Sequence, residues 1–269
     1  MLETWEAKRL ERIISSGRTR PLVIECSRSS DEIEDRADEI DESSLKVVKA
    51  FDLPEISAFG LFSELFGNSL ARVLGLETPE PCLVHISTPF ATAANLVLRR
   101  EGLELKAGLA SGCQHFSGGY RNVIPETLSS DELQEAAQIY AFDLLVQNPD
   151  RIRQRPNCAI FSGNIISYDF ETAFSFVLLI GKQPSPWEVS KHGLAKNHLF
   201  YSVLRAKKKE VNWKPLVSRL RKLKRDQVEE LTSGFPHEWL GYAPKVYSHI
   251  LTVAEHVKDF ELELRRSLL

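Results

Sequence analysis

The chain has 269 residues, 43% of them hydrophobic and 26% charged, a globular balance that excludes a fibrous or largely disordered architecture. With 34 Lys and Arg against 37 Asp and Glu, the net charge of -3 excludes the overall basic excess of a general nucleic-acid binder. No apolar run approaches a bilayer span, and the N-terminus lacks a signal-type apolar core, so a soluble, cytoplasmic protein without membrane association is expected.

Cys26, Cys82, Cys113 and Cys158 lie far apart with no CxxC pair, which fits free thiols in a reduced compartment. In chain order, Leu2, Leu10, Ile13 and Ile14 recur among charges at roughly helical spacing, predicting a short amphipathic helix over 3–15. PLVIEC (21–26) and LKVVKAF (45–51) predict two strands. Between them eight acidic residues fall from Asp31 to Glu42, a solvated helix or a loop. Apolar residues at three and four spacing from Ile56 to Leu74, stopped by Gly75, predict a helix.

Segments 82–86 and 94–98 read as strand or core, broken by Pro79, Pro81 and Pro89. Ser129-Ser130-Asp131-Glu132 supplies an N-cap and an acidic first turn for a helix that Asn148-Pro149 closes. Cys158–Phe161 and Ile165–Tyr168 flank Ser162-Gly163-Asn164 and predict a hairpin. Beyond Gly193 only helices are expected, over 194–206, 213–223, 225–233 and 243–266. The order predicts an α+β fold of two lobes, 1–116 with a small mixed sheet and one long helix, and 117–269 mainly helical.

The chemistry gathers in AFDLLVQNPDRIRQRPNCAIFSGNIISYDFETAFSF (141–176), where a helix ends in NPDR and a hairpin ends in YDFE. Asp150 and Asp169 stand 19 positions apart with Asn157 between them, and a hairpin can fold the second acid back toward the first. One carboxylate to orient a hydroxyl, with a carboxylate and an amide oxygen to hold Mg2+, is what phosphoryl transfer needs.

These elements, with LKVVKAF and the helix ISAFGLFSELFGNSLARVLGL upstream, resemble the HipA-like kinase family, a divergent protein-kinase-like fold. SGCQHFSGGY and FPHEWL extend the likeness from about Pro21 through Trp239. The resemblance implies ATP and Mg2+ as cofactors, Asp150 as catalytic base, Arg151 as its loop's brace, and Asn157 and Asp169 as metal ligands. It further implies that Lys49 clamps the nucleotide phosphates, paired with Glu64. Family analogy makes Ser or Thr of a protein the acceptor, such as a translation-related protein, and raises a growth-inhibiting toxin with a small antitoxin partner. Two departures stand out. Kinases of this broad class carry asparagine five positions after the base, where this chain has Arg155, and Ser27-Arg28-Ser29-Ser30 supplies no glycine for a phosphate-covering loop. Ser27, Ser29 and Ser30, three hydroxyls in the loop expected to overhang the γ-phosphate, are candidate self-phosphorylation sites.

Each element alone has a bland reading: Asp150 as a turn cap, Lys49 as an edge lysine, Glu64 as a solvated acid. Four in kinase order outweigh those readings. His115, His192 and His198 show no zinc-ligand spacing and read as fillers. The ten Lys or Arg from Arg205 to Arg225 read first as a solvated face and second as a dock for RNA or an acidic protein. The rivals to an active kinase are a pseudokinase that binds nucleotide without transferring phosphate, and an adaptor using this basic run.

Overall fold

The computed structural model describes residues 2–15, 18–28, 43–50, 52–116 and 118–269. Ser29, Ser30 and the acidic stretch 31–42 lie outside the described residues, so neither the predicted helix-or-loop there nor those two serines receive a structural account.

Five strands between Thr4 and Gln114 build a closed barrel where a small mixed sheet was expected. Its strands are β1 (Thr4–Ile13), β2 (Leu22–Arg28), β3 (Ser44–Lys49), β4 (Pro81–Ile86) and β5 (Gly108–Gln114). They run in the order β1-β2-β3-β5-β4, with β1 closing onto β4 in parallel and every other pair antiparallel. β1 replaces the predicted N-terminal helix. Its pairing with β2 slips between Ala7 and Arg9 and again between Leu10 and Arg12, and each slip adds a residue to β1. The extra residue lets Leu10 and Ile13, three apart, both pack on the barrel core, which imitates helical spacing.

Leu22, Ile24, Cys26, Val48, Ala50, Cys82, Val84, Ile86 and Ala110 fill the barrel, together with residues from α2 (Thr88–Leu98). The sequence reading of 94–98 as strand or core, broken from 82–86 by Pro89, gives way here to a helix. In fact Pro89 lies in the first helical turn, where its missing N–H costs nothing, and Ser87 caps the helix by accepting from Phe90 N at 3.3 Å. β5 was not foreseen either, since GLASGCQ carries few strand-forming side chains. Its small residues answer a crowded interior: a Cβ on Gly112 would stand 2.7 Å from Val84 and 2.9 Å from the Cys82 sulfur. The barrel's inward alternation puts Val48 inside and turns Lys49 to the outer face.

α1 (Ala58–Val73) lies against that outer face and belongs to a second apolar cluster shared with the C-terminal helices, its Phe62 and Phe66 meeting Phe174. Ser129 and Glu132 close a full capping box on α3 (Ser130–Leu145). A three-stranded sheet follows, ordered β6 (Tyr120–Asn122), β7 (Cys158–Phe161), β8 (Asn164–Ser167), the last two being the predicted hairpin. The tail holds α4 (Tyr201–Ala206), α5 (Lys214–Lys222), α6 (Arg225–Glu230), α7 (Ala243–Glu255) and α8 (Val257–Ser267). The predicted 243–266 helix is thus two, interrupted at His256, whose ring stacks on Trp187 at 3.7 Å. The four cysteines are free, and no helix among the described residues is long and apolar enough to cross a membrane.

Candidate active site

Lys49 ends β3 on the outer barrel face, where α1 and the loop after β8 converge on it. Its Nζ donates to Glu64 Oε2 at 3.0 Å, Asp169 Oδ1 at 2.6 Å and Glu171 Oε2 at 2.9 Å. Burial opposes its charge, but these three carboxylates outweigh burial and hold its pKa well above the ordinary lysine value. Burial raises the pKa of Glu64 and of Glu171, and the Lys49 charge only partly offsets this.

Glu64 does more than pair with Lys49. The same Oε2 accepts from Phe170 N at 2.8 Å, so one oxygen ties the barrel, α1 and the Asp169 loop together. Asp169 sits at φ +64°, a left-handed conformation that a non-glycine residue adopts at some cost, and this turn sends its carboxylate to Lys49. Close packing fixes the loop: a Cβ on Gly67 of α1 would lie 2.8 Å from Phe170 Cβ.

The second part of the site begins where α3 ends. Asn148 Oδ1 accepts from Asp150 N at 3.2 Å and from Thr172 Oγ1 at 2.9 Å, while its Nδ2 donates to Asp143 Oδ1 at 3.0 Å. One amide thereby sets the position of Asp150 relative to the loop carrying Asp169. Asp150 Oδ1 pairs with Arg155 at 2.5 Å, and Oδ2 accepts from Asn157 Nδ2 at 3.3 Å. Burial raises the Asp150 pKa, against the lowering influence of Arg155 and Asn157. The Asp169 charge raises it too, and Asp150 in turn raises Glu171, so the two groups of acids lie close enough to act on each other.

Beneath them Arg151 is fully buried. Its Nε donates to Asp143 Oδ2 at 2.5 Å, and its Nη1 donates to the Asn157 carbonyl and, at 3.4 Å, to the Tyr168 carbonyl. One guanidinium therefore braces both acid-bearing loops. His198 Nε2 donates to Asp143 Oδ2 at 2.9 Å and completes the support. Burial opposes ionisation of Asp143, but Arg151 and His198 prevail and lower its pKa.

The structure thus brings Lys49, Glu64 and Asp169 into direct contact, puts Asp150 and Asn157 beside each other, and seats Arg151 under both. It does not bring Ser27 there. Lys49 and the Ile13–Leu22 turn share one end of the barrel, whereas Ser27 pairs with Glu6 near the other end of β2 and is buried. By strand order the connection next to Lys49 is the one joining β1 to β2, across whose ends Ile14 N donates to Pro21 O at 2.8 Å. Sequence reasoning missed Glu171, Asp143, Asn148 and His198. Glu171 stands in the YDFE motif itself, Asn148 opens NPDR and Asp143 lies in the helix before it, whereas His198 is 55 residues from Asp143 along the chain. The basic run is partly structural: Arg219 Nη1 donates to Leu74 O at 3.2 Å, closing the end of α1.

Among solved structures, CtkA, a proinflammatory kinase of Helicobacter pylori, aligns with 96% of this chain and 98% of its own at 12% identity, with a TM-score of 0.49. No curated protein matches. Residues 39–266, from before β3 into α8, match the HipA-like kinase family, which leaves β1 and β2 outside the matched span. A match over so much of the chain shows that it belongs to the HipA-like kinase family, whose members are kinase-type phosphotransferases.

Proposed function

We propose that the protein is an ATP- and Mg2+-dependent kinase that transfers phosphate to a Ser or Thr hydroxyl of a protein. The observation that carries this reading is the lysine bridge. Lys49 Nζ touches Glu64 and Asp169, residues 15 and 120 positions away along the chain, at 3.0 and 2.6 Å. The donor set suits Mg2+. Glu64, Asp169 and Glu171 each offer a carboxylate oxygen within 4.8 Å of the others, hard ligands in excess of the single lysine charge. Asp169 and Glu171 would hold the ion, and the ion when bound neutralises phosphate charge.

In this reading the barrel and the helical part, divided near residue 116, act as two lobes around the cleft. Lys49 clamps the phosphates, and Glu64 keeps Lys49 extended into the cleft. Asp150 orients the acceptor hydroxyl and takes its proton, a task its burial-raised pKa favours. Arg151 holds no substrate; by bonding the Asn157 and Tyr168 carbonyls it sets the distance between Asp150 and Asp169. A translation-related protein as acceptor and a small antitoxin as partner follow from the family alone.

Titration calorimetry with Mg-ATP, on the parent and on Lys49→Ala, tests the reading. Mg2+-dependent binding that the variant loses is expected. Absence of nucleotide binding by the parent, or unchanged affinity in Lys49→Ala, overturns it.

A further inference from the structure

Protein kinases place an asparagine five residues after the catalytic base, where its amide oxygen holds the second of two Mg2+ ions on the phosphates. Five residues after Asp150 stands Arg155, a side chain that repels a cation. It is not a loose surface arginine. Ile152 N donates to Arg155 O at 3.1 Å and Arg155 N donates to Ile152 O at 3.0 Å, a tight reciprocal turn. The alternate arginines of that turn are committed in three directions: Arg151 inward to Asp143, Arg153 outward to Glu126, and Arg155 onto Asp150 Oδ1 at 2.5 Å. Asn157 does not recover the missing arrangement. Its Nδ2 faces Asp150 Oδ2 at 3.3 Å, so amide and guanidinium hold the two oxygens of one carboxylate.

We propose that Arg155 takes the place of the second divalent ion, so that this kinase works with one metal ion and one arginine. This rests on the kinase reading above. In the transfer step the acceptor oxygen forms a bond to the γ-phosphorus while the bond from that phosphorus to the β–γ bridging oxygen breaks. The electron pair of the broken bond leaves on ADP, and the hydroxyl proton passes to Asp150. Arg155 exchanges no proton. As the acceptor hydroxyl takes over Asp150 Oδ1, the guanidinium moves to the oxygens of the transferring group, which its planar fork matches in two-point contact. Its permanent charge then does what the second ion does elsewhere.

The experiment counts metal ions without turnover. Mn2+ replaces Mg2+, the non-hydrolysable β,γ-imido analogue replaces ATP, and free Mn2+ is read by electron paramagnetic resonance at saturating analogue. The parent and Arg155→Lys should each bind one Mn2+ per chain, and Arg155→Asn should bind two. As a companion, ATP turnover by Arg155→Asn at low Mg2+ should fall about 10²–10³-fold and recover as Mg2+ is raised, because one charge-stabilising group has been exchanged for an ion that must be recruited. Two Mn2+ on the parent, or a single one on folded Arg155→Asn, overturns the proposal and leaves the kinase reading standing. A parent that binds no Mn2+ with the analogue overturns both. The parent count alone keeps the proposal falsifiable if the asparagine variant fails to fold.

Discussion

Lys49 and Arg151 are both buried cations of the cleft, yet their surroundings differ in kind. Arg151 is closed: one carboxylate, Asp143, answers its charge, backbone carbonyls take its remaining donors, and His198 and Asn148 fill the other positions on Asp143. Lys49 is open: it faces three carboxylates, two of them partly exposed, and its single charge leaves an excess of negative charge. A buried cluster balanced from within has no need of a ligand. A cluster with surplus carboxylate suits a cation from outside, as the proposed function requires, and the closed cluster would then hold the open one in shape.

The sharpest way to break that comparison is within the open half. Asp150→Asn and Asp169→Asn should both abolish transfer, but by different routes. Asp150→Asn removes proton acceptance, so single-turnover transfer should fall about 10²–10⁴-fold while Mg-ATP still binds. Asp169→Asn removes a charged oxygen ligand, so nucleotide affinity and its Mg2+ dependence should weaken together. Calorimetry beside single-turnover assays separates them. Equal loss of affinity in both variants would undo the division of roles, and full transfer by either would undo the role given to that residue.

Next in size is the closed half. Asp143→Ala leaves a fully buried guanidinium without its carboxylate, which should cost about 3–5 kcal/mol of stability, read as a lower urea midpoint. Lys49→Met tests the contrast: it should cost far less stability than Asp143→Ala and far more nucleotide affinity per unit of stability lost. If the two variants change stability and binding in the same ratio, open and closed clusters are not different things.

Acid should reach the closed cluster through His198. Burial lowers its pKa, although Asp143 pulls the other way, so the folded protein keeps it neutral with Nε2 donating to Asp143. A histidine depressed in the fold contributes stability that is complete above its unfolded value near 6.5. That contribution declines as pH falls toward the lower folded value, with a slope of at most about 1.4 kcal/mol per pH unit. Urea unfolding from pH 7 downward should therefore show less slope in His198→Gln than in the parent. An unchanged slope would mean that the fold leaves the His198 pKa at its unfolded value, and a steeper slope in the variant that His198 is charged in the fold.

The open cluster was legible in the sequence and the closed one was not, for a physical reason. Lys49, Glu64, Asp150 and Asp169 stand in motifs whose order along the chain is kinase order, so each lends weight to the others. Asp143 lies in the last turn of α3, a pattern explained by amphipathic periodicity alone, and Asn148 was fully accounted for as a helix terminator before Pro149. His198 was read as a filler because its partner is 55 residues away and no local spacing connects them. Glu171 follows Asp169 by two and was passed over because strand alternation hides which of two acids a turn will direct inward. The barrel was missed at β1 for a related cause, since bulges reset the alternation by which a strand is recognised.

The smallest expected effect belongs to Arg153→Ala, and its smallness is the point. Arg153 shares the tight turn with Arg151 and Arg155 and is paired with Glu126, but both side chains are more than half exposed, 57% and 55%. An exposed pair gains little Coulomb energy against water and loses side-chain freedom, so removing it should cost no more than about 1 kcal/mol and leave Mn2+ stoichiometry unchanged. The turn's own reciprocal backbone bonds, together with Arg151 below, should hold Arg155 in place without that pair. Arg153→Ala is thus the control that tells charge in the turn from position in the turn. If it shifts metal stoichiometry or transfer as Arg155→Asn does, the exposed pair is positioning Arg155, and the line between closed support and open site runs through the surface rather than under it.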